Sequence, residues 1–244
     1  MATNEPATNV NTTCPCPKFC PLPTCPYHED LSKLNTIEVT VSSTAPIDTN
    51  TTPILWVLGG PGSGKETQCD KIAAKYGYTH LSTGALLRAE IAKSTGTDRA
   101  KTLVAIIEKG GLAPTEYVLA LVKDEIRARA ATTKGFLVDG FPRETSQGLE
   151  FEMGVAPPTA ILYFEVSEKT LTDRLLARAK DSGRLDDNEN TIKQRLKTFQ
   201  ENNQLILDQY SDKVVKINGE GSEDETFAEV EKVMEPIVAT AVAR

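Results

Sequence analysis

Gly59-Gly60-Pro61-Gly62-Ser63-Gly64-Lys65 fits the pattern G-x-x-x-x-G-K. Glycines let successive backbone N–H groups turn inward around an anion, and a closing lysine adds a full charge. A helical pattern follows (Cys69, Ile72, Ala73, Tyr76), which aims the positive end of a helix at the same point. Together these features describe a loop that cradles phosphate. The Ser or Thr that usually follows the lysine is missing: Glu66 stands there, with Thr67 one place later. Six arginines downstream occupy settings that are locally unfavourable. Arg174 and Arg178 lie four apart on one helical pattern and repel each other. Arg184 follows Gly183 in a polar loop, and Arg195 shares a helical face with Ile192 and Phe199, which that face should bury. Arg88 and Arg143 fall near loop or helix-start positions. Beside a phosphate loop, such a set suggests a cage for several phosphates. The competing reading is ordinary salt bridging to Asp173, Asp186, Asp187 or Glu189. Asp139 closes the apolar run Phe136-Leu137-Val138 and precedes Gly140. An Asp at the end of a core strand in a phosphate-loop protein commonly holds Mg²⁺, often through water.

The elements that must position these groups alternate. Short apolar strands are expected at 54–58, 136–138, 160–164 and 214–217, with a weak one near 79–81. Helical patterns lie at about 64–75, 83–94, 98–109, 114–130, 167–180, 188–209 and 223–242. Strands alternating with helices predict a parallel sheet covered on both faces, with ligands at the strand C-terminal ends. Three helices in succession between 83 and 130 read as an insertion over one end of that sheet.

Composition bounds the rest. The 244 residues can bury one large core, and a net charge of −7 gives no general electrostatic case for nucleic acid or an anionic membrane. No apolar run reaches the about 18 residues of a membrane span. An N-terminal h-region is lacking and acids are present early, so a cytoplasmic address is expected. Residues 1–52 hold half of the fourteen prolines and four of the five cysteines, but few large apolar side chains. This stretch is expected to be a mostly disordered extension. Ile37–Val41 alternates like a lone strand. Cys14, Cys16, Cys20, Cys25 and His28 are soft ligands that would suit zinc, though not at the spacing of the strong paired motifs. Disulfides, lipidation or no defined chemistry are the alternatives, and the role of this extension stays open.

From Pro53 to the C-terminus the chain resembles a nucleoside monophosphate kinase, most closely an adenylate kinase of the short-lid cytosolic type. The resemblance rests on Gly59 to Gln68, on His80-Leu-Ser-Thr-Gly-Ala-Leu-Leu-Arg-Ala-Glu90, and on Asp139-Gly-Phe-Pro-Arg143 with Gln147. Asp173-Arg-Leu-Leu-Ala-Arg178, Ser182-Gly-Arg-Leu-Asp-Asp-Asn188 and Arg195 complete it, in family order and at family spacing. It implies an α/β fold, a phosphate-loop three-layer sandwich with a five-stranded parallel sheet. A helical insertion at about 82–113 would bind the monophosphate, and a short lid would span about 178–188. By the same resemblance, Gly60, Pro61, Gly62, Ser63, Gly64, Lys65, Glu66 and Thr67 would cradle the ATP phosphates and Arg174 would stack on the ATP base. Thr83, Arg88, Gly140, Arg143 and Gln147 would hold AMP, with Arg184 and Arg195 also reaching it. Lys65, Arg178, Arg184 and Arg195 would surround the transferring group. Asp139 would support Mg²⁺, while Asp186 and Asp187 would support the metal and the lid. ATP, AMP and ADP are the implied partners, and family members of this kind are usually monomers. Three positions depart from the family: Glu66 for Gly, Ala85 for Asp and Ala113 for Val. Their effect on rate and specificity is open.

The chemistry agrees with the cage. A phosphomonoester is largely ionised at neutral pH, with a second pKa of about 6, so no general base is required. The enzyme must hold two polyanions in line, neutralise their repulsion and exclude water. Gln147 can donate and accept at once, which suits the adenine edge. Two alternatives remain beside the adenylate kinase reading. One is a UMP/CMP or broad-specificity kinase; the other is a nucleotide sensor whose turnover Glu66 weakens.

Overall fold

The computed structural model describes residues 47–184 and 186–242. The cysteine and histidine cluster, Ile37–Val41 and most of the expected extension lie outside them. Residues at the end of that stretch form a turn, in which the Asp48 carbonyl accepts from the Thr51 and Thr52 N–H groups.

Five parallel strands, β1 (Ile54–Gly59), β2 (Thr79–Ser82), β3 (Phe136–Asp139), β4 (Ala160–Glu165) and β5 (Val214–Asn218), pair in the order β2-β3-β1-β4-β5. Ile54, Leu55, Trp56 and Val57 are wholly buried, as a central strand covered on both faces requires. Eight helices among the described residues cover the sheet and its ends: α1 (Lys65–Tyr76), α2 (Thr83–Lys93), α3 (Asp98–Glu108), α4 (Thr115–Arg129), α5 (Thr145–Gly154), α6 (Glu168–Ala179), α7 (Glu189–Gln209) and α8 (Glu223–Val242). Side chains alternate across β1. Leu55 and Val57 join Ile72 of α1 and Val230 and Met234 of α8 in one core. Trp56 points the other way, with the rings of Phe141, Phe151 and Tyr210 edge-on to it at 5.7, 5.5 and 5.1 Å. The result is three layers.

The expected strands are all present, and the three-helix insertion is α2, α3 and α4. Helix α5 was not expected. Its buried face is Gln147, Gly148 and Phe151, whereas Leu149 and Met153 are exposed, so hydrophobic periodicity gives it no helical signature.

Candidate active site

The turn after β1 opens the site. Gly62 has φ +85°, and a Cβ there would come within 2.9 Å of Leu175 Cγ and 3.0 Å of the Leu171 carbonyl, so only glycine fits between the loop and α6. Gly64, also left-handed, caps α1 without a side chain, leaving the first N–H groups of that helix free for an anion. Lys65 Nζ folds back onto the carbonyls of Gly59 and Gly60, both at 2.8 Å, and onto Ser63 Oγ at 3.1 Å. Burial lowers this ammonium to about 8, against the pull of Asp139.

A cavity of about 470 Å³ lies over this loop. Lys65, Glu66, Arg88, Asp139, Arg143, Arg174, Arg178, Arg184 and Arg195 all line it, so the structure brings the expected cations to one place. Three of the arginines have acid partners. Asp187 takes Arg178 in two bonds, from Nε at 2.9 Å and Nη2 at 2.6 Å, and also accepts from Ser182 Oγ. Arg195 Nη1 lies 2.7 Å from Asp186 Oδ2, and Arg184 Nη2 lies 3.0 Å from Glu66 Oε2. Arg174 donates instead to the carbonyls of Gly219, Glu220 and Gly221. Arg88 and Arg143 have no ion pair among the described residues. Arg143 Nε donates only to the Gly140 carbonyl, and Arg88 is half-buried with its charge disfavoured by burial and by neighbouring Arg184. The salt-bridge reading therefore holds for Arg178 and Arg195, while Arg184 finds Glu66, an acid that reading did not name, and two guanidiniums face the cavity without an ion pair among the described residues.

Thr83 and Gln147 are buried at the insertion side, beside a smaller recess lined by Leu87, Leu112, Ala113 and Val118. Thr83 Oγ1 donates to the Asp139 carbonyl, and Gln147 Oε1 accepts from the Arg143 N–H at 2.9 Å. Among the described residues the Gln147 amide nitrogen has no partner, which leaves it as a donor for whatever enters. Thr198, Asn202 and Asn203 of α7 also line the main cavity. Polar residues on a long helix look like a solvated face in the sequence, so they gave no signal. Nor did His80, which joins Asp70 (Nδ1 to Oδ1, 2.8 Å) to Asp139 (Nε2 to Oδ2, 3.5 Å). Burial would lower this imidazole, but the neighbouring carboxylates of Asp139 and Asp70 outweigh it and raise its pKa.

The insertion and α7 meet across the opening, where Thr191 Oγ1 donates to the Glu108 carbonyl at 2.5 Å. The turn between α6 and α7 is held by Asp187, whose side chain is 2 % exposed against 31 % for Arg178. Burial alone would raise this carboxyl; hydrogen bonds from Arg178 and Ser182 hold it below its ordinary 3.8. Asp187→Asn is expected to destabilise the protein by about 1–2 kcal/mol at neutral pH, between the values for exposed and fully buried pairs. The wild-type advantage exists above the ordinary carboxyl pKa and is lost as pH falls through the depressed one. Urea melts of both proteins at pH 7 and below pH 4 check this, with the curves converging in acid.

A glycine-rich strand-loop-helix with free N–H groups, an arginine-lined cavity and three successive helices between β2 and β3 are the features of a phosphate-loop kinase. The adenylate kinase profile matches residues 57–215. The chain is 52% identical over 179 residues to adenylate kinase isoenzyme 1 of Gallus gallus, covering 72% of this chain and 91% of that protein. It is 51% identical over 181 residues to the Homo sapiens isoenzyme 1, covering 73% and 92%. Against the Caenorhabditis elegans isoenzyme 1 it is 50% identical over 198 residues, covering 80% and 93%. The chain belongs to the adenylate kinase family. It is a phosphotransferase that catalyses ATP + AMP ⇌ 2 ADP, and these relatives do not favour the pyrimidine alternative.

Proposed function

We propose that the cavity takes Mg·ATP on the loop side and AMP on the insertion side, and that phosphate passes directly between them. In this reading the N–H groups of Gly60 to Thr67 hold the ATP phosphates, and Arg174 lies along the base. Arg88 and Arg143 grip the AMP phosphate, while Thr83, Gly140 and Gln147 shape the adenine recess. Lys65, Arg178, Arg184 and Arg195 surround the group in transit and neutralise its equatorial charge. The observation that carries this reading is a single cavity lined both by the loop lysine and by two arginines that have no acid partner among the described residues.

Mg²⁺ suits the residues present. Asp139 Oδ1 is buried with no hydrogen-bond partner, a carboxylate oxygen that calls for a cation or its water. In this reading the metal would rest mainly on nucleotide oxygens and water. When bound, it would supply charge neutralisation at the phosphates. Asp186 and Asp187 are engaged by arginines and serve the lid in this reading. Closure of the insertion on α7 excludes water, without which ATP would be hydrolysed. No helix among the described residues is long and apolar enough to cross a membrane. A monomer working in the cytoplasm completes the proposal.

Initial rates of ADP formation with Mg·ATP and AMP, CMP, UMP or GMP in turn test it. AMP should be strongly preferred, and activity that persists in excess EDTA would remove the metal from the reading. Gln147→Ala is expected to cost about tenfold in kcat/KM for AMP, about 1.4 kcal/mol, while changing CMP and UMP little. An equal loss for all monophosphates would mean that Gln147 only supports the Arg143 backbone.

A further inference from the structure

We propose that the Glu66 side chain is an internal counter-anion that occupies Arg184 while the phosphate site is empty, and that ATP phosphate displaces it. The proposal rests on the reading above that Arg184 contacts the transferring phosphoryl group. Three observations carry it.

The first is the reach of the pair. Glu66 lies in the first turn of α1 and Arg184 in the turn between α6 and α7, 118 residues away, and both line the cavity. Their 3.0 Å contact is no accident of neighbouring helix positions. The second is its direction. Arg178 and Arg195 are neutralised by Asp187 and Asp186, which belong to the same turn as Arg184. Arg184 has no acid there; its partner stands on the phosphate loop's own helix, so this pair ties the turn to the loop. The third is its exposure. The two side chains are 22 % and 48 % exposed. A pair so open to water shifts an equilibrium by about fivefold at most. It is strong enough to place the arginine and weak enough to yield to a polyphosphate that also gains the loop N–H groups. The general loop pattern has a Ser or Thr hydroxyl after its lysine, which carries no charge and cannot act as a stand-in anion. Glu66 thus contributes to ATP binding through its backbone and opposes it through its carboxylate.

The consequence is that removing the carboxylate should tighten ATP, and only through Arg184. The test is a double-mutant cycle of Glu66→Gln and Arg184→Gln in the full-length protein, with the Kd for ATP measured by titration calorimetry with and without Mg²⁺. Glu66→Gln alone is expected to tighten ATP about two- to fivefold at low salt, with the gain shrinking as salt screens the pair. In the Arg184→Gln background the gain should vanish. The same gain in both backgrounds would overturn the proposal and assign the effect to the general field of the carboxylate. Unchanged or weaker binding in Glu66→Gln would overturn it too, and weakening confined to Mg²⁺ would place Glu66 at the metal instead. A failure of the underlying reading looks different: Arg184→Gln alone would then leave both turnover and ATP affinity at wild-type values, removing Arg184 from phosphate binding and this proposal with it.

Discussion

Lys65→Met is expected to lower kcat about 10³-fold, about 4 kcal/mol of transition-state stabilisation, while costing the fold little. In the empty site the ammonium is held by two carbonyls and a hydroxyl, none of them charged, and burial depresses its pKa from 10.5 to about 8. That gap is worth about 3 kcal/mol against the charged form at neutral pH. Three hydrogen bonds at about 1 kcal/mol each are lost with the side chain, so the two effects nearly cancel. The sign with pH follows. Between pH 8 and 10.5 the unfolded chain holds a proton that the folded enzyme has released, so wild-type stability gains with rising pH in that window. The gain should be missing from the Met variant, which comparing the two in urea melts at pH 7.5 and 9.5 would read. Activity runs the other way. Free enzyme loses the cation above pH 8, so kcat/KM for ATP should fall there, and ATP binding near pH 8 should take up a proton. Calorimetry in buffers of different ionisation enthalpy measures that uptake. A variant that keeps wild-type kcat would remove Lys65 from the reaction.

The parts of this site legible in the sequence are those whose chemistry is local. Gly59 to Lys65 can be read because the loop's N–H groups, glycines and charge are consecutive, and Ile54 to Leu58 because a strand buried on both faces is simply an apolar run. The arginines drew notice by being locally expensive, and Asp186 and Asp187 were among the partners the sequence offered for them, yet the partner of Arg184 was beyond local reasoning. Arg178 with Asp187 spans only nine positions, but Arg184 with Glu66 spans 118 and depends on the turn after α6 coming down upon α1. Helix α5 illustrates the opposite failure. Its buried face is built on Gln147 and Gly148, with Gly148 packed against the ring of Tyr210, so function and close approach displaced the apolar stripe that would have announced it. His80 was passed over because a histidine within a strand has no local mark of its link to Asp139.

These contacts share a logic. An enzyme that must neutralise two polyanions carries more cationic charge in one cavity than an empty site tolerates. The chain answers with acceptors of its own: carbonyls for Lys65 and Arg174, and acids of the turn between α6 and α7 and of α1 for Arg178, Arg195 and Arg184. Arg88 stands outside that arrangement.

Arg88→Ala is therefore expected to raise the KM for AMP about 100-fold and to leave the unfolding temperature of the empty enzyme unchanged or higher. The guanidinium is half-buried, faces Arg184 and has no ion pair or hydrogen bond among the described residues. Burial and Arg184 cost this cation more than the attraction of Glu66 and Asp186 returns, so truncating it removes a penalty. A charge-assisted contact to phosphate is worth up to about 3 kcal/mol, which converts to the stated loss of AMP affinity. ATP affinity should hardly move, because in the proposed reading the ATP phosphates are held by the loop. Arg88→Lys should recover part of the loss, since it restores the charge without the planar fork that takes two phosphate oxygens at once. Kinetics with AMP varied at saturating ATP, alongside thermal melts of the empty proteins, separate the outcomes. A melting temperature several degrees lower with an unmoved KM for AMP would show that Arg88 holds the insertion together rather than its substrate.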